Sequence, residues 1–204
     1  MHEACRGSAT SFKGVVMKYD IILAGVGGQG VLSIAAIIAA AAMKDGLSVR
    51  QSEVHGMSQR GGGVSAHLRL SDGEIASDLI PLGKADMILA MEPMESLRYL
   101  PWLSEKGVLV TAAEPFVNIG NYPEIEKVYG AINALPTSHI VKSAELAKEA
   151  GNIKCENMVL IGAALEYMPV SKETVLQAVR DRFEKKDPAL VEANAKALEL
   201  GAKR

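Results

Sequence analysis

Residues Tyr19 to Met43 read YDIILAGVGGQGVLSIAAIIAAAAM, and the order of their parts decides the fold. A β-branched run, Tyr19-Asp20-Ile21-Ile22-Leu23-Ala24, leads into a glycine-rich turn, Gly25-Val26-Gly27-Gly28-Gln29-Gly30. A small-residue run from Val31 to Met43 follows, of the right length for a buried helix. Nothing from Ile21 to Met43 is charged, but four glycines and a glutamine interrupt the stretch. The uninterrupted apolar run is too short to span a bilayer, which takes about 20 residues. Strand, glycine turn, helix is therefore the reading.

Such a turn owes its chemistry to its backbone. Glycine takes φ > 0 without strain and lets another group approach the main chain closely. The first N–H groups of the following helix have no intrahelical partner and face the positive end of the helix dipole. A phosphate, a carboxylate or a carbonyl oxygen from another chain suits that place. Gly25, Gly27 and Gly30 fit G-x-G-x-x-G in the strand–helix context the motif requires. The same spacing also serves tight strand–helix packing with nothing bound, and these residues alone leave both roles open.

At 204 residues and 49% apolar content, the chain is long enough for one domain with a sizeable core. A net charge of −2 gives no basic footprint for nucleic acid or an anionic membrane surface. The two cysteines, Cys5 and Cys155, lie far apart and form no C-x-x-C cluster. They read as reduced thiols of a cytoplasmic protein and are too few for an iron–sulfur cluster or a structural zinc site. Residues 1–18 hold no apolar core of signal-peptide length. Residues 1–17 are expected to be a poorly ordered extension, with Met17 as the natural start.

Beyond the first helix, Leu47 to Gln51 reads as a second strand, and Glu53 lies 23 residues past Gly30. An acid at about that distance holds the ribose in dinucleotide-binding folds. The following segment, Ser52-Glu53-Val54-His55-Gly56-Met57-Ser58-Gln59-Arg60-Gly61-Gly62-Gly63, argues for something else. It reads as a loop that gathers an acid, an imidazole, a hydroxyl, an amide and a guanidinium around four glycines. Ordering so flexible a segment costs entropy unless something binds to it. Arg60 is the natural anion clamp, successive glycine amides can form an anion nest, and His55 can carry a proton near neutral pH. A solvated surface loop is the plain alternative. With Gly25, Gly27, Gly28, Gln29 and Gly30 on one loop and Glu53, His55, Ser58, Gln59, Arg60, Gly61 and Gly62 on the other, a shared functional edge is the stronger reading.

Val64 to Leu70 alternates as a half-buried strand, with His67 on its polar face as a solvated or hydrogen-bonded residue, and Ile75 to Ile80 is a hairpin partner. Ala85 to Met91 and Gly107 to Thr111 are buried parallel strands. Glu92 sits where the first of these ends, suited either to a ligand or to capping the short helix that follows. Val128 to Ile132 is expected to be an edge strand, and Thr137 or Ser138 to cap a helix running to Ala150. Three further helices follow: Met158 to Met168, Lys172 to Phe183 capped by Ser171, and Pro188 to Leu200.

The pairing of Gly25-Val26-Gly27-Gly28-Gln29-Gly30 with Ser52-Glu53-Val54-His55-Gly56-Met57-Ser58-Gln59-Arg60-Gly61-Gly62 resembles the gamma subunit or domain of 2-oxoacid:ferredoxin oxidoreductases. The second string looks most like the beta subunit of the indolepyruvate enzymes, and Glu92-Pro93 and Asn157-Met158 fit the same pattern. The likeness runs from about Lys18 to the C-terminus. It implies a three-layer α/β/α, Rossmann-like domain, residues 18–204, with a largely parallel or mixed sheet and a helical C-terminal segment. It further implies a non-cofactor-bearing subunit, inactive alone. In the assembled enzyme a 2-oxoacid is oxidatively decarboxylated to an acyl-CoA, with electrons passing to ferredoxin. Thiamine diphosphate with Mg and the 4Fe-4S clusters would sit on a larger partner subunit, with CoA as co-substrate. No nucleic acid or membrane partner is implied, and the isolated chain could pair as a homodimer. Two other classes stay open at this stage: a stand-alone NAD- or flavin-binding oxidoreductase using Gly25, Gly27, Gly30 and Glu53, and a non-catalytic regulatory or scaffold protein.

Overall fold

A computed structural model describes residues 17–55, 61–117, 120–184 and 188–203. Six strands form one mixed sheet in the order β2-β3-β1-β4-β5-β6. Strand β1 (Lys18–Val26) is central, and β4 (Ala85–Ala90), β5 (Leu103–Ala112) and β6 (Ser138–Val141) extend the sheet in parallel on one side. On the other side β3 (Gly63–Ser71) runs antiparallel to β1, and β2 (Ser48–His55) antiparallel to β3.

Alternation along β1 sends Ile21 and Leu23 into one core and Ile22 and Ala24 into the other. The larger core packs under α1 (Val31–Lys44), α5 (Glu156–Ala164), α6 (Lys172–Phe183) and α7 (Pro188–Ala202). The smaller core lies on the opposite face, where α3 (Ile125–Asn133) contributes Val128 and Ile132, and Leu97 of α2 (Pro93–Arg98) packs against it. The expected three-layer α/β/α architecture is present, with a mixed sheet. No helix among the described residues is long and apolar enough to cross a membrane.

Local chemistry fixes the ends of the elements. Helix α1 stops at Asp45, and Gly46 takes φ +81° so that the chain can turn back towards β2. The Asp45 carboxylate then accepts from the Ser171 amide at 2.8 Å, joining the end of α1 to the start of α6. Ser171 itself caps α6 by accepting from the Thr174 amide at 3.1 Å. Helices α5 and α7 meet at two glycines. A Cβ on Gly162 would fall 2.1 Å from the Leu198 carbonyl oxygen, and one on Gly201 would fall 2.1 Å from that of Val159.

Five expectations need correction. Val128 to Ile132 is helical, within α3; Val128 and Ile132 are one helical turn apart and both enter the smaller core. Ser138 to Val141 is strand β6, because pairing with Leu109 to Ala112 supplies backbone bonds that local helix preference cannot; the helix α4 (Ser143–Glu149) starts after it. Ile75 to Ile80 forms no strand: Arg69 holds the segment through the Ser77 and Leu79 carbonyls, each at 2.9 Å. Strand β3 is buried on both faces, not half-buried, and His67 is 7% exposed with Nδ1 accepting from the Ile80 amide at 2.9 Å. Ser52 to His55 continue strand β2, so the polar loop begins later than the sequence suggested.

Candidate functional site

The carboxyl ends of β1 and β4 reach the same edge of the sheet, and the glycine turn lies there. Its glycines are needed for different reasons. At Gly25 a side chain would meet Val31 Cγ2 at 2.8 Å and Met91 Cβ at 3.0 Å, so β1 and α1 could not pack this closely. Gly28 and Gly30 take φ of +102° and +84°, which L side chains rarely adopt. A Cβ at Gly30 would also strike Asn157 Nδ2 at 2.4 Å, the nitrogen that donates to the Gly30 carbonyl at 3.3 Å.

Gln29 folds back over this turn. Its Oε1 accepts from the Val26 amide at 2.7 Å, and its Nε2 donates to the Met91 carbonyl at 3.2 Å. The side chain therefore ties the end of β1 to the end of β4. Gly27 donates to the Gly62 carbonyl at 2.8 Å and accepts from the Gly61 amide at 3.4 Å. Two glycine segments more than thirty residues apart are thus joined. Ser58, Gln59 and Arg60 lie outside the described residues, as does the side chain of His55.

Glu53 lies elsewhere. It pairs across β2–β3 with Ala66, which pairs in turn with Leu23 of β1. That places it two strands from β1, roughly 10 Å at ordinary strand spacing, and level with a residue before the turn. Its carboxylate accepts from Gln51 Nε2 at 2.5 Å. The acid of a dinucleotide site stands at the end of the strand beside β1; here the antiparallel β3 occupies that neighbouring position.

Glu92 is 1% exposed and caps α2, its Oε2 accepting from the Glu95 amide at 2.7 Å. Its Oε1 accepts from the Phe116 amide at 3.3 Å and from the Tyr122 hydroxyl. The carboxylate thereby fastens the segment after β5 to the start of α2. Burial, followed by the bond to Glu92, pushes the Tyr122 hydroxyl far above its ordinary pKa, so it stays a donor.

A cavity of about 430 Å3 opens beside Gly28, Gln29 and Gly30, and Phe116, Lys154 and Asn157 line its other sides. Glu114 and Glu156 also line it and share one hydroxyl: Ser143 Oγ lies 3.0 Å from Glu114 and 3.4 Å from Glu156. Burial, then the neighbouring Glu114 charge, raises the Glu156 carboxyl above its usual range. Sequence reasoning missed this trio, along with Tyr122 and Glu95, because their positions carry no local motif and meet only in the fold. Around the same edge Leu32, Val54, Phe116, Val117 and Ile153 leave apolar surface exposed.

Residues 20–204 match the family described as pyruvate ferredoxin/flavodoxin oxidoreductase. The chain belongs to that family. It is 38% identical over 194 residues to the indolepyruvate oxidoreductase subunit IorB of Archaeoglobus fulgidus, covering 91% of this chain and 94% of that one. It is likewise 38% identical to the IorB subunit of Pyrococcus horikoshii, over 91% of this chain and 95% of that one. Among solved structures, the gamma subunit of a keto/oxoacid ferredoxin oxidoreductase from Geobacter sulfurreducens superposes with a TM-score of 0.66 at 29% identity, covering 90% of this chain and 96% of that one. The resemblance carried by the two glycine strings is borne out, and this oxidoreductase family's small-subunit type describes the chain.

Proposed function

We propose that this chain is the small subunit of a 2-oxoacid:ferredoxin oxidoreductase whose substrate is an aryl pyruvate, indolepyruvate foremost. One observation carries the reading. The two glycine segments by which the sequence resembles the gamma subunits are bonded to each other, Gly27 to Gly62, at the end of the sheet where α/β folds place ligands. Near-full-length identity to subunits named for indolepyruvate supports the choice of substrate.

The reaction draws on thiamine diphosphate with Mg and on 4Fe-4S clusters, and the residues of this chain do not fit them. Four thiolates are needed for a cluster and the chain has two cysteines, of which Cys155 is buried. Among the described residues no three His, Cys, Asp or Glu side chains converge as a metal site. In this reading a larger partner subunit carries these groups and hands electrons to ferredoxin. The domain of residues 18–204 contributes a cover over the partner's active site. Exposed apolar side chains around the glycine edge supply contact area, and glycine amides with Arg60 meet the CoA phosphates and exclude water. The complex works in the cytoplasm, and the chain alone is inactive.

The test is reconstitution with the larger subunit under anaerobic conditions, followed by CoA-dependent ferredoxin reduction with a panel of 2-oxoacids. Turnover highest with indolepyruvate supports the reading. Preference for a 2-oxoacid without an aromatic ring overturns the substrate, and dinucleotide-dependent activity of the chain alone overturns the subunit role.

A further inference from the structure

Beside the glycine edge, a smaller cavity of about 220 Å3 lies between the start of β3 and α2. Gly61 to Gly63 form one side, Glu95 and Arg98 another, and Phe116 and Tyr122 add aromatic surface. Glu95 is 7% exposed. Its Oε1 pairs with Arg98 at 3.1 Å, while its Oε2 is buried with no hydrogen-bond partner among the described residues. Leaving a buried acceptor unpaired is costly, more so when it is charged, so natural folds seldom keep one idle.

Further observations bear on what this oxygen receives. A Cβ at residue 63 would lie 3.1 Å from Glu95 Oε2, so glycine there keeps the oxygen uncovered. Gly63 has no positive φ, so its backbone alone does not call for glycine. Glu92 lines the same cavity, but its oxygens already accept from Glu95, Phe116 and Tyr122. Among the described residues that line the cavity, two carboxylates stand with one guanidinium. Burial disfavours ionised Glu95 more than the Arg98 charge favours it, with the Glu92 charge adding to the cost, and a further cation would relieve it. Small-molecule sites usually span about 300–1,000 Å3, and this one is smaller, the size of a side-chain head.

We propose that Glu95 Oε2 is the socket for a cationic side chain, a lysine ammonium or an arginine guanidinium, which the larger subunit inserts when the complex assembles. The inference rests on the subunit reading above. Carboxylate and aromatic surface together suit a cation better than a neutral donor. A desolvated charge pair of this kind acts as an anchor of an interface, in contrast to a pair on its exposed rim.

The experiment measures the dissociation constant between the purified larger subunit and the wild-type, Glu95→Gln or Gly63→Ala chain, together with the melting temperature of each isolated chain. Glu95→Gln keeps shape and removes charge; Gly63→Ala keeps the charge and covers it. The proposal expects both variants to raise the dissociation constant at least tenfold, with the isolated Glu95→Gln chain melting no lower than an Arg98→Gln chain, which loses only the Oε1 pair. Affinities within twofold of wild type overturn it. So does a melting temperature of the Glu95→Gln chain that falls with the affinity and lies below that of the Arg98→Gln chain, since a group of this same chain would then hold Oε2. If the wild-type chain binds no larger subunit at all, the subunit reading fails, a result distinct from a normal complex that ignores Glu95.

Discussion

The Gly27 amide donates to the Gly62 carbonyl at 2.8 Å, so the turn after β1 and the turn before β3 are held as one surface. Both groups are backbone, and their geometry depends on the residues that fix the turn around them. Gly30 is the most constrained of these, with φ of +84° and Asn157 Nδ2 2.4 Å from the place of a Cβ. Gly30→Ala is expected to lower stability by about 2 kcal/mol or more, combining left-handed strain with a clash. In an Asn157→Ala background the clash is absent, so the same substitution costs about 1 kcal/mol less. Denaturant unfolding of the four proteins in the cycle measures this coupling; additive effects would mean that Asn157 does not support the turn.

Glu92 joins α2 to the segment after β5. Glu92→Ala removes a helix cap and leaves the Tyr122 hydroxyl and the Phe116 amide without their acceptor. A loss of about 3 kcal/mol is expected, against about 2 kcal/mol for Tyr122→Phe, which removes only one donor to the carboxylate. Chemical denaturation gives both values. Equal losses would show that the cap and the Phe116 bond together contribute nothing.

His67 makes the fold sensitive to acid. Its Nδ1 accepts from the Ile80 amide, and burial, followed by the Arg69 charge, holds its pKa below the ordinary 6.5. As pH falls through 6.5 the unfolded chain takes up a proton that the folded chain still refuses. The His67 contribution is therefore full above that pH and declines below it, until the folded pKa is reached. His67→Phe should flatten this part of the stability–pH curve. Trp102, the single tryptophan, lies edge-on to the His67 ring at 6.2 Å, so its fluorescence should follow the same titration.

How much of this was legible in the sequence depended on how local the determining interactions are. Helix α6 starts and ends where Ser171 and the following pattern place it, because the cap acts within four residues. Helix α1 is similarly local, running from Val31 directly after Gly30 to its end at Asp45. Strand β6 is not, since four residues become a strand only through pairing with β5. Helix α3 was missed because a short run with Val128 and Ile132 suits either element until its core side is known. At the site, the two glycine strings were readable as strings, whereas their bond to one another was not. The displacement of Glu53 follows from β3 entering between β1 and β2, which no local pattern announces.

Helices α5 and α7 offer a sharp test of packing. Gly162→Ala and Gly201→Ala each drive a methyl into a backbone carbonyl 2.1 Å away, which neither helix can relieve without separating. Each is expected to cost about 3 kcal/mol, at the upper end of overpacking. The double substitution should cost less than the sum, because one separation accommodates both methyls. Thermal unfolding monitored by circular dichroism decides this; full additivity would mean that the two contacts are independent.

The central claim is that this chain serves a larger, cofactor-bearing partner. The direct measurement is anaerobic capture of the tagged chain from its native host, with mass spectrometry of what is bound and assays for iron and thiamine diphosphate. The account predicts a larger subunit in fixed proportion, carrying both. A chain recovered alone, or holding a dinucleotide, would contradict it.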